Sequence, residues 1–468
     1  MLGRFEPLIK VTYTTTGETL LVKFSKVSPL KNKDMKWSKY NILSKSEKYG
    51  HLLFNTMSMV FLQINDEDFP MWLEIKSDPD KVKETAYGDF LIKSRIIVNN
   101  DEEDLNVYLS DVLKNRYNSS DMALTILPTR GCNFECIYCY EQERPMVNMS
   151  KPTEEAIVKF VNSNPNLKRL SVVWYGGEPL MNFPSIRRLS EAFMDMDVEY
   201  SAKMVCNGYL LNKEIANEVE QLKINNIQIT LDGSPETHDK RRPLLGGGHT
   251  YRKIMDNLKY LLSVNKTVTI DIRSNIDRRN MNEYHQFHDE FRKEISDSRV
   301  TLYPGFVSDL LSDECVSVED NISEGGYKAQ FALDIFYRYG IEIKAFLPKF
   351  RRHSCVASKY FAFVIGPEGE IYKCWRMVGN KEQVLGNVRS GLDMAKFSRY
   401  LVGADYTRDQ KCLDCEFITL CGGGCPLVRL RNKEESLKLN HCCPEKTHME
   451  KLMEMRYEMT LLAKKQKE

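Results

Sequence analysis

The sequence predicts an α/β protein: a partial, TIM-like (β/α)6 barrel, with an N-terminal α+β module before it and a cysteine-rich domain after it. Three observations carry that expectation. Short apolar runs alternate six times with amphipathic helical stretches through the middle of the chain. Period-two alternation dominates before them, and eight of the 13 cysteines crowd between Cys355 and Cys443. The expected boundaries are 1–118, 119–345 and 346–468.

In the N-terminal module, "LIKVTYTTTGETLLVKF" (8–24) and "YGHLLFNTMSMVFLQIN" (49–65) read as strands, and "DPDKVKETA" (78–86) and "EEDLNVYLSDVLKNRY" (102–117) as helices. The first barrel unit joins the buried-strand run "ALTILP" (Ala123 to Pro128) to the helix "TEEAIVKFV" (Thr153 to Val161), whose opening threonine reads as a cap. "LSVVWYG" with "SIRRLSEAFMDM", "SAKMVCNG" with "NKEIANEVEQLKI" (212–224) and "NIQITLDG" with "TYRKIMDNLKYLL" continue the series. "TVTIDIRSN" with "MNEYHQFHDEFRKEI" and "RVTLYPGFV" with "GYKAQFALDIFYRYG" complete it. Such a series makes parallel strands with right-handed crossovers. Six units fall short of the eight that close a barrel, and chemistry gathers at the carboxyl ends of the strands.

The chain has 468 residues, room for two to four domains. Lys and Arg number 66 against 65 Asp and Glu, a net charge of +1 that offers nucleic acid no basic stripe. Glu6 interrupts what would be a signal-peptide core, and no apolar run reaches 18 residues, so a cytoplasmic protein with no membrane span is expected. In a reducing compartment, 13 cysteines point to metal or redox chemistry rather than disulfides.

The sharpest motif is "GCNFECIYCYE" (Gly131 to Glu141), in the loop after strand one, with Cys132, Cys136 and Cys139 spaced C-x3-C-x2-C. A structural zinc site closes around four ligands. Three thiolates on an iron–sulfur cube leave one iron open. Strand two ends in "YGGEP", and strand three in "CNGYLL". Cys206 reads as a buried small hydrophobe and Cys315 as a loop thiol.

This motif, with Tyr138 before its last cysteine at the head of a βα series, resembles that of the radical S-adenosylmethionine enzymes. The resemblance implies that Cys132, Cys136 and Cys139 hold a [4Fe–4S] cluster whose fourth iron is chelated by S-adenosylmethionine. One electron then yields a 5′-deoxyadenosyl radical that abstracts hydrogen from substrate. It further implies that Gly176, Gly177, Glu178 and Pro179 line the methionine amino group, with the Glu178 carboxylate as acceptor. Asn207 and Gly208 would sit near the nucleoside, and Arg273 would pair with the methionine carboxylate, with Asn275 as the weaker candidate.

From Cys355 onward the chain reads C…G-x4-C…C-x2-C-x5-C-x3-C…C, which resembles the SPASM extension. By that resemblance Cys412, Cys415, Cys421 and one of Cys442 and Cys443 hold a farther auxiliary [4Fe–4S] cluster. Cys355, Cys374 and Cys425 hold a nearer one, making three clusters in all. No cysteine lies between Cys355 and Cys374. A substrate thiolate completes the nearer set, or else the spare member of the Cys442–Cys443 pair or a non-cysteine side chain does. The stripe Met449, Leu452 and Met453 reads as packing.

The resemblance therefore implies an oxidoreductase that matures a ribosomally made precursor peptide by forming a cysteine thioether. A leader segment would add to the N-terminal module, and a one-electron donor such as flavodoxin or ferredoxin would supply reductant. Formylglycine formation on a sulfatase, carbon–carbon cross-linking or epimerisation of a peptide, and a non-catalytic iron–sulfur scaffold are the alternatives.

Overall fold

A computed structural model describes residues 35–85, 87–141, 145–307, 325–339, 349–443, 446 and 448–465. The 8–24 segment and Cys315 lie outside the described residues.

The N-terminal module contains an antiparallel sheet of β1 (Asn41–Ser46), β2 (Gly50–Asn55) and β3 (Phe61–Ile64), with β2 in the middle. The β structure expected over 49–65 is a hairpin, turned at Met59 with φ +62°. The helical stretch expected at 78–86 is a 3-10 helix over Pro79–Glu84. Helix α1 (Asp101–Arg116) opens on Asn100, whose side chain accepts from the Glu102 amide, and carries four acidic residues in its first turn, where the helix dipole favours them.

Six parallel strands follow: β4 (Asp121–Ile126), β5 (Arg169–Trp174), β6 (Glu199–Cys206), β7 (Ile224–Thr230), β8 (Thr269–Ile276) and β9 (Val300–Phe306), paired in chain order. Burial alternates along β6 and β8, so Tyr200, Ala202, Met204 and Cys206 share one face, as do Ile270, Ile272, Ser274 and Ile276. The crossover helices are α2 (Lys151–Asn162), α3 (Phe183–Met194), α4 (Lys213–Glu218), α5 (Pro235–Arg241), α6 (Tyr251–Val264), α7 (Tyr284–Glu294) and α8 (Gly325–Tyr339). Their apolar stripes, such as Ile186, Leu189 and Phe193 on α3, pack on the sheet. Helix α2 starts two residues before the expected Thr153. Ser150 is its cap, accepting from the Thr153 amide, and Pro152 fits the first turn. Helix α4 stops at Glu218, well short of Ile224, because the chain turns at Lys223 (φ +56°) to enter β7.

The sheet does not end with the six strands. β10 (Ala362–Ile365), buried at every residue, pairs in parallel with β4, and β11 (Ile371–Tyr372) returns antiparallel to it. This gives the order β9-β8-β7-β6-β5-β4-β10-β11. The continuous run "AFVI" fits a strand covered on both faces. The cysteine-rich region is thereby stitched to the strand whose following loop carries Cys132, Cys136 and Cys139.

The two ends of the chain meet. Leu52, Phe54 and Phe61 form one apolar cluster with Phe336, Phe417 and the face of α9 (Met449–Lys465) that carries Met449, Leu452 and Met453. The methionine stripe is packing, as its pattern predicts.

Candidate functional site

The loop after β4 is held by backbone. Glu135 and Ile137 amides donate to the carbonyls of Pro243 (2.9 Å) and Arg241 (3.1 Å), and Cys139 donates to Cys136 (3.2 Å). Cys132, Cys136 and Cys139 are half-buried. Around them lie two unspent donors. Asn133 Nδ2 is buried without a partner, and Arg242, 8% exposed and electrostatically coupled to Cys136, leaves its Nε unpartnered. Three thiols beside a buried guanidinium suit an anionic iron–sulfur group, so the residues fit the cluster.

The "YGGEP" turn packs directly beneath this loop. A Cβ on Gly176 (φ +135°) would lie 2.4 Å from the Thr129 carbonyl oxygen, and one on Gly177 would lie 2.3 Å from that of Gly131. These glycines let two segments of the chain's own backbone touch, and the Glu178 amide donates to the Gly131 carbonyl at 2.9 Å. Pro179 is buried at the start of the following 3-10 turn.

The Glu178 side chain is turned onto the chain's own backbone. Its carboxylate is 0% exposed and accepts from the Leu180 amide (3.0 Å) and the Asn207 amide (2.7 Å). Burial raises its pKa to about 7, against the lowering effect of those two amides. A carboxylate enclosed in this way staples the end of β5 to the end of β6. Asn207, 5% exposed, extends the staple: its Nδ2 donates to Asn133 Oδ1 (2.8 Å) and its Oδ1 accepts from the Tyr209 amide (2.9 Å).

At the end of β8, Arg273 lies over Gly305, and its Nε donates to Asn275 Oδ1 at 2.8 Å. Among the described residues it forms no ion pair with a carboxylate, which leaves its charge for an anionic ligand group. Asn275 Nδ2 donates to the Tyr138 hydroxyl (3.0 Å), as does Arg242 Nη1 (2.6 Å), and the Arg241 guanidinium sits 5.1 Å from the Tyr138 ring centroid. Desolvation holds the Tyr138 phenol well above its usual range. Arg241 is itself anchored by Asp277 (2.9 Å) and Asp232 (3.4 Å) in a buried network. Asn133, Asp232, Arg241 and Arg242 were missed in the sequence. The adjacent pair in "DKRRP", at the C-terminal end of helix α5, was the available signal, since two arginines there must be anchored by something.

The C-terminal cysteines gather into two groups. Cys374 is coupled electrostatically to Cys355 and Cys425, and burial raises its pKa to about 12. The other group contains Cys412, Cys415, Cys421, Cys442 and Cys443. Buried Cys443 hydrogen-bonds to Cys421 and lowers its pKa, and exposed Cys442 is coupled to Cys421 and Cys415. The "GGG" run makes this convergence possible: a Cβ on Gly424 (φ +68°) would lie 1.6 Å from the His441 carbonyl oxygen. Asp409 and His441 bring ligand atoms within 4.8 Å of Cys412, but Arg429 already donates to Cys412 Sγ (2.6 Å) and Asp409 (2.9 Å). Cys206 is buried on β6, as expected.

Between the two sites runs an aromatic contact. The Tyr140 hydroxyl, next to Cys139, meets that of Tyr175 at 2.7 Å, and Tyr175 stacks on Trp375, next to Cys374, with ring centroids 5.4 Å apart.

The family model described as "Radical SAM superfamily" matches residues 126–290. Residues 126–290 form a radical SAM domain. The chain is 22% identical over 446 residues to the radical SAM cyclopropyl synthase TigE of Paramaledivibacter caminithermalis, covering 85% of this chain and 90% of that protein. It is also 22% identical to a cysteine-type anaerobic sulfatase-maturating enzyme of Clostridium perfringens, over 69% of this chain and 93% of the relative. In fold it resembles anSMEcpe with bound AdoMet and Cp18Cys peptide (TM-score 0.60, 19% identity, 74% of this chain and 100% of that one). Streptococcus suis SuiB bound to precursor peptide SuiA is similar too (TM-score 0.50, 16% identity, 84% and 95% covered). Among the described residues, no helix is long and apolar enough to cross a membrane.

Proposed function

We propose that this radical SAM enzyme modifies a ribosomally made peptide, joining a cysteine sulfur to a peptide carbon as a thioether. When bound at Cys132, Cys136 and Cys139, the cluster and S-adenosylmethionine supply hydrogen-atom abstraction from a substrate carbon. The chain's own residues do the rest. Arg273 offers its charge to the methionine carboxylate, and Tyr138, fixed by Asn275 and Arg242, lines the loop beside it. Glu178 and Asn207 hold the ends of β5 and β6 against the cysteine loop.

The observation that carries this reading is the composition of the nearer auxiliary site. Cys355, Cys374 and Cys425 form a trio, while Cys442 and Cys443 both associate with the Cys421 group. Among the described residues no fourth cysteine joins the trio, which supports a thiolate from the substrate, the natural ligand of such clusters, in the remaining position. The test uses a cysteine-bearing precursor peptide encoded beside the gene. Native peptide should alter the electron paramagnetic resonance spectrum of the nearer cluster, and its Cys→Ser version should not. Equal effects from both peptides contradict thiolate ligation.

Residues 1–118, 119–345 and 346–468 are then leader-recognition, radical and auxiliary-cluster regions, with three [4Fe–4S] clusters and a flavodoxin-like or ferredoxin-like donor. Likeness to TigE over 85% of the chain favours carbon–carbon bond formation as the second reading. Likeness to sulfatase-maturating enzymes supports formylglycine formation as a third.

A further inference from the structure

Lys373 is a buried lysine that the proposed mechanism does not use. It precedes Cys374 and is 2% exposed. Its Nζ donates to the carbonyls of Lys359, Tyr360 (3.2 Å) and Ala362 (2.6 Å), and lies 4.8 Å and 4.7 Å from the ring centroids of Phe363 and Phe397. Three carbonyl acceptors match the three N–H bonds of an ammonium, whereas a neutral amine would turn its lone pair against one of them. Two aromatic faces add cation–π attraction. The group at this position is therefore built to hold a charge. Among the described residues, however, no carboxylate pairs with it, and an isolated buried ammonium is costly. Burial pulls its pKa well below the ordinary lysine value, and the charge of Cys355 opposes that to a smaller extent.

The three carbonyls lie on the segment running from Cys355 into β10, and the lysine lies on the segment running from β11 into Cys374. The ammonium thus bridges the two arms of the nearer cysteine trio. We propose that Lys373 is a fixed countercharge for the iron–sulfur group at Cys355, Cys374 and Cys425, raising its reduction potential; this rests on reading that trio as a cluster site. A cation beside the site stabilises an added electron, so its removal disfavours reduction.

The test is an EPR-monitored redox titration of the anaerobically reconstituted full-length chain carrying Cys132→Ala, Cys136→Ala and Cys139→Ala, with the nearer cluster assigned as the signal lost in Cys374→Ser. Lys373→Met should lower the reduction equilibrium of that cluster at least tenfold, which is 59 mV for one electron. Lys373→Arg should restore most of it, and the farther cluster should not move. Where Lys373→Met fails to fold, Lys373→Gln, neutral yet able to donate to two of the carbonyls, carries the same expectation. An unchanged potential at unchanged iron content overturns the proposal and leaves Lys373 a staple of two loops. Iron content and spectra that Cys374→Ser leaves unaltered would instead refute the cluster reading itself.

Discussion

Glu178 is where residue chemistry and sequence pattern diverge most. A carboxyl whose folded pKa lies near 7, against an ordinary 4.5, keeps its proton longer in the folded state. Its contribution to stability is complete below about pH 4.5 and is lost as pH rises to about 7, a loss on the order of 3 kcal/mol. Glu178→Gln should flatten that slope in thermal melts taken between pH 4.5 and 7. The same variant turns an amide NH2 toward either the Leu180 or the Asn207 N–H, so it should cost roughly 1–3 kcal/mol above pH 7 relative to a fully accepting side chain. A slope equal to that of the native chain would show that Glu178 does not titrate in this window. The motif "GGEP" marks the turn in the sequence but not the backbone contacts of its carboxylate. Sequence spacing shows which residues cluster, not which way a carboxylate faces, and here the backbone amides of Leu180 and Asn207 claim it.

Among the elements, the decisive contact is backbone on backbone. With 2.3 Å between the Gly131 oxygen and a Cβ on Gly177, Gly177→Ala must push the "YGGEP" turn off the cysteine loop. The expected outcome is loss of one cluster's iron and of S-adenosylmethionine cleavage, with the auxiliary clusters retained; iron and sulfide analysis of reconstituted protein checks it. The six strands and most crossover helices were legible because buried strands and amphipathic helices write their periods plainly, as in "LSVVWYG" and "SIRRLSEAFMDM". The place of β10 was not. "AFVI" is too short to reveal its partner, and its pairing with β4 spans more than 230 residues. The Arg241–Asp232–Asp277 network was hidden for the same reason: its members lie on separate strand ends and loops.

For the whole molecule, the interlocking of the two ends changes what a truncation does. Tyr108 of α1 donates to the carbonyls of Arg351 (2.9 Å) and Ile418 (3.2 Å), and Phe54 and Phe61 cover the apolar face of α9. Removing residues 1–115 should therefore expose the cysteine-rich region and lower its iron content, besides impairing the leader recognition proposed for that module. Full retention of iron in that truncated chain would contradict the packing argument. The central claim concerns what leaves the active site. Tandem mass spectrometry of the precursor peptide after turnover, followed by thiol alkylation, tests it most directly. Thioether formation predicts a product lighter by two hydrogens per bridge, whose modified cysteine resists alkylation because its sulfur has no thiolate left. A product equally lighter but still fully alkylated, one that has lost its sulfur, or one of unchanged mass would contradict it.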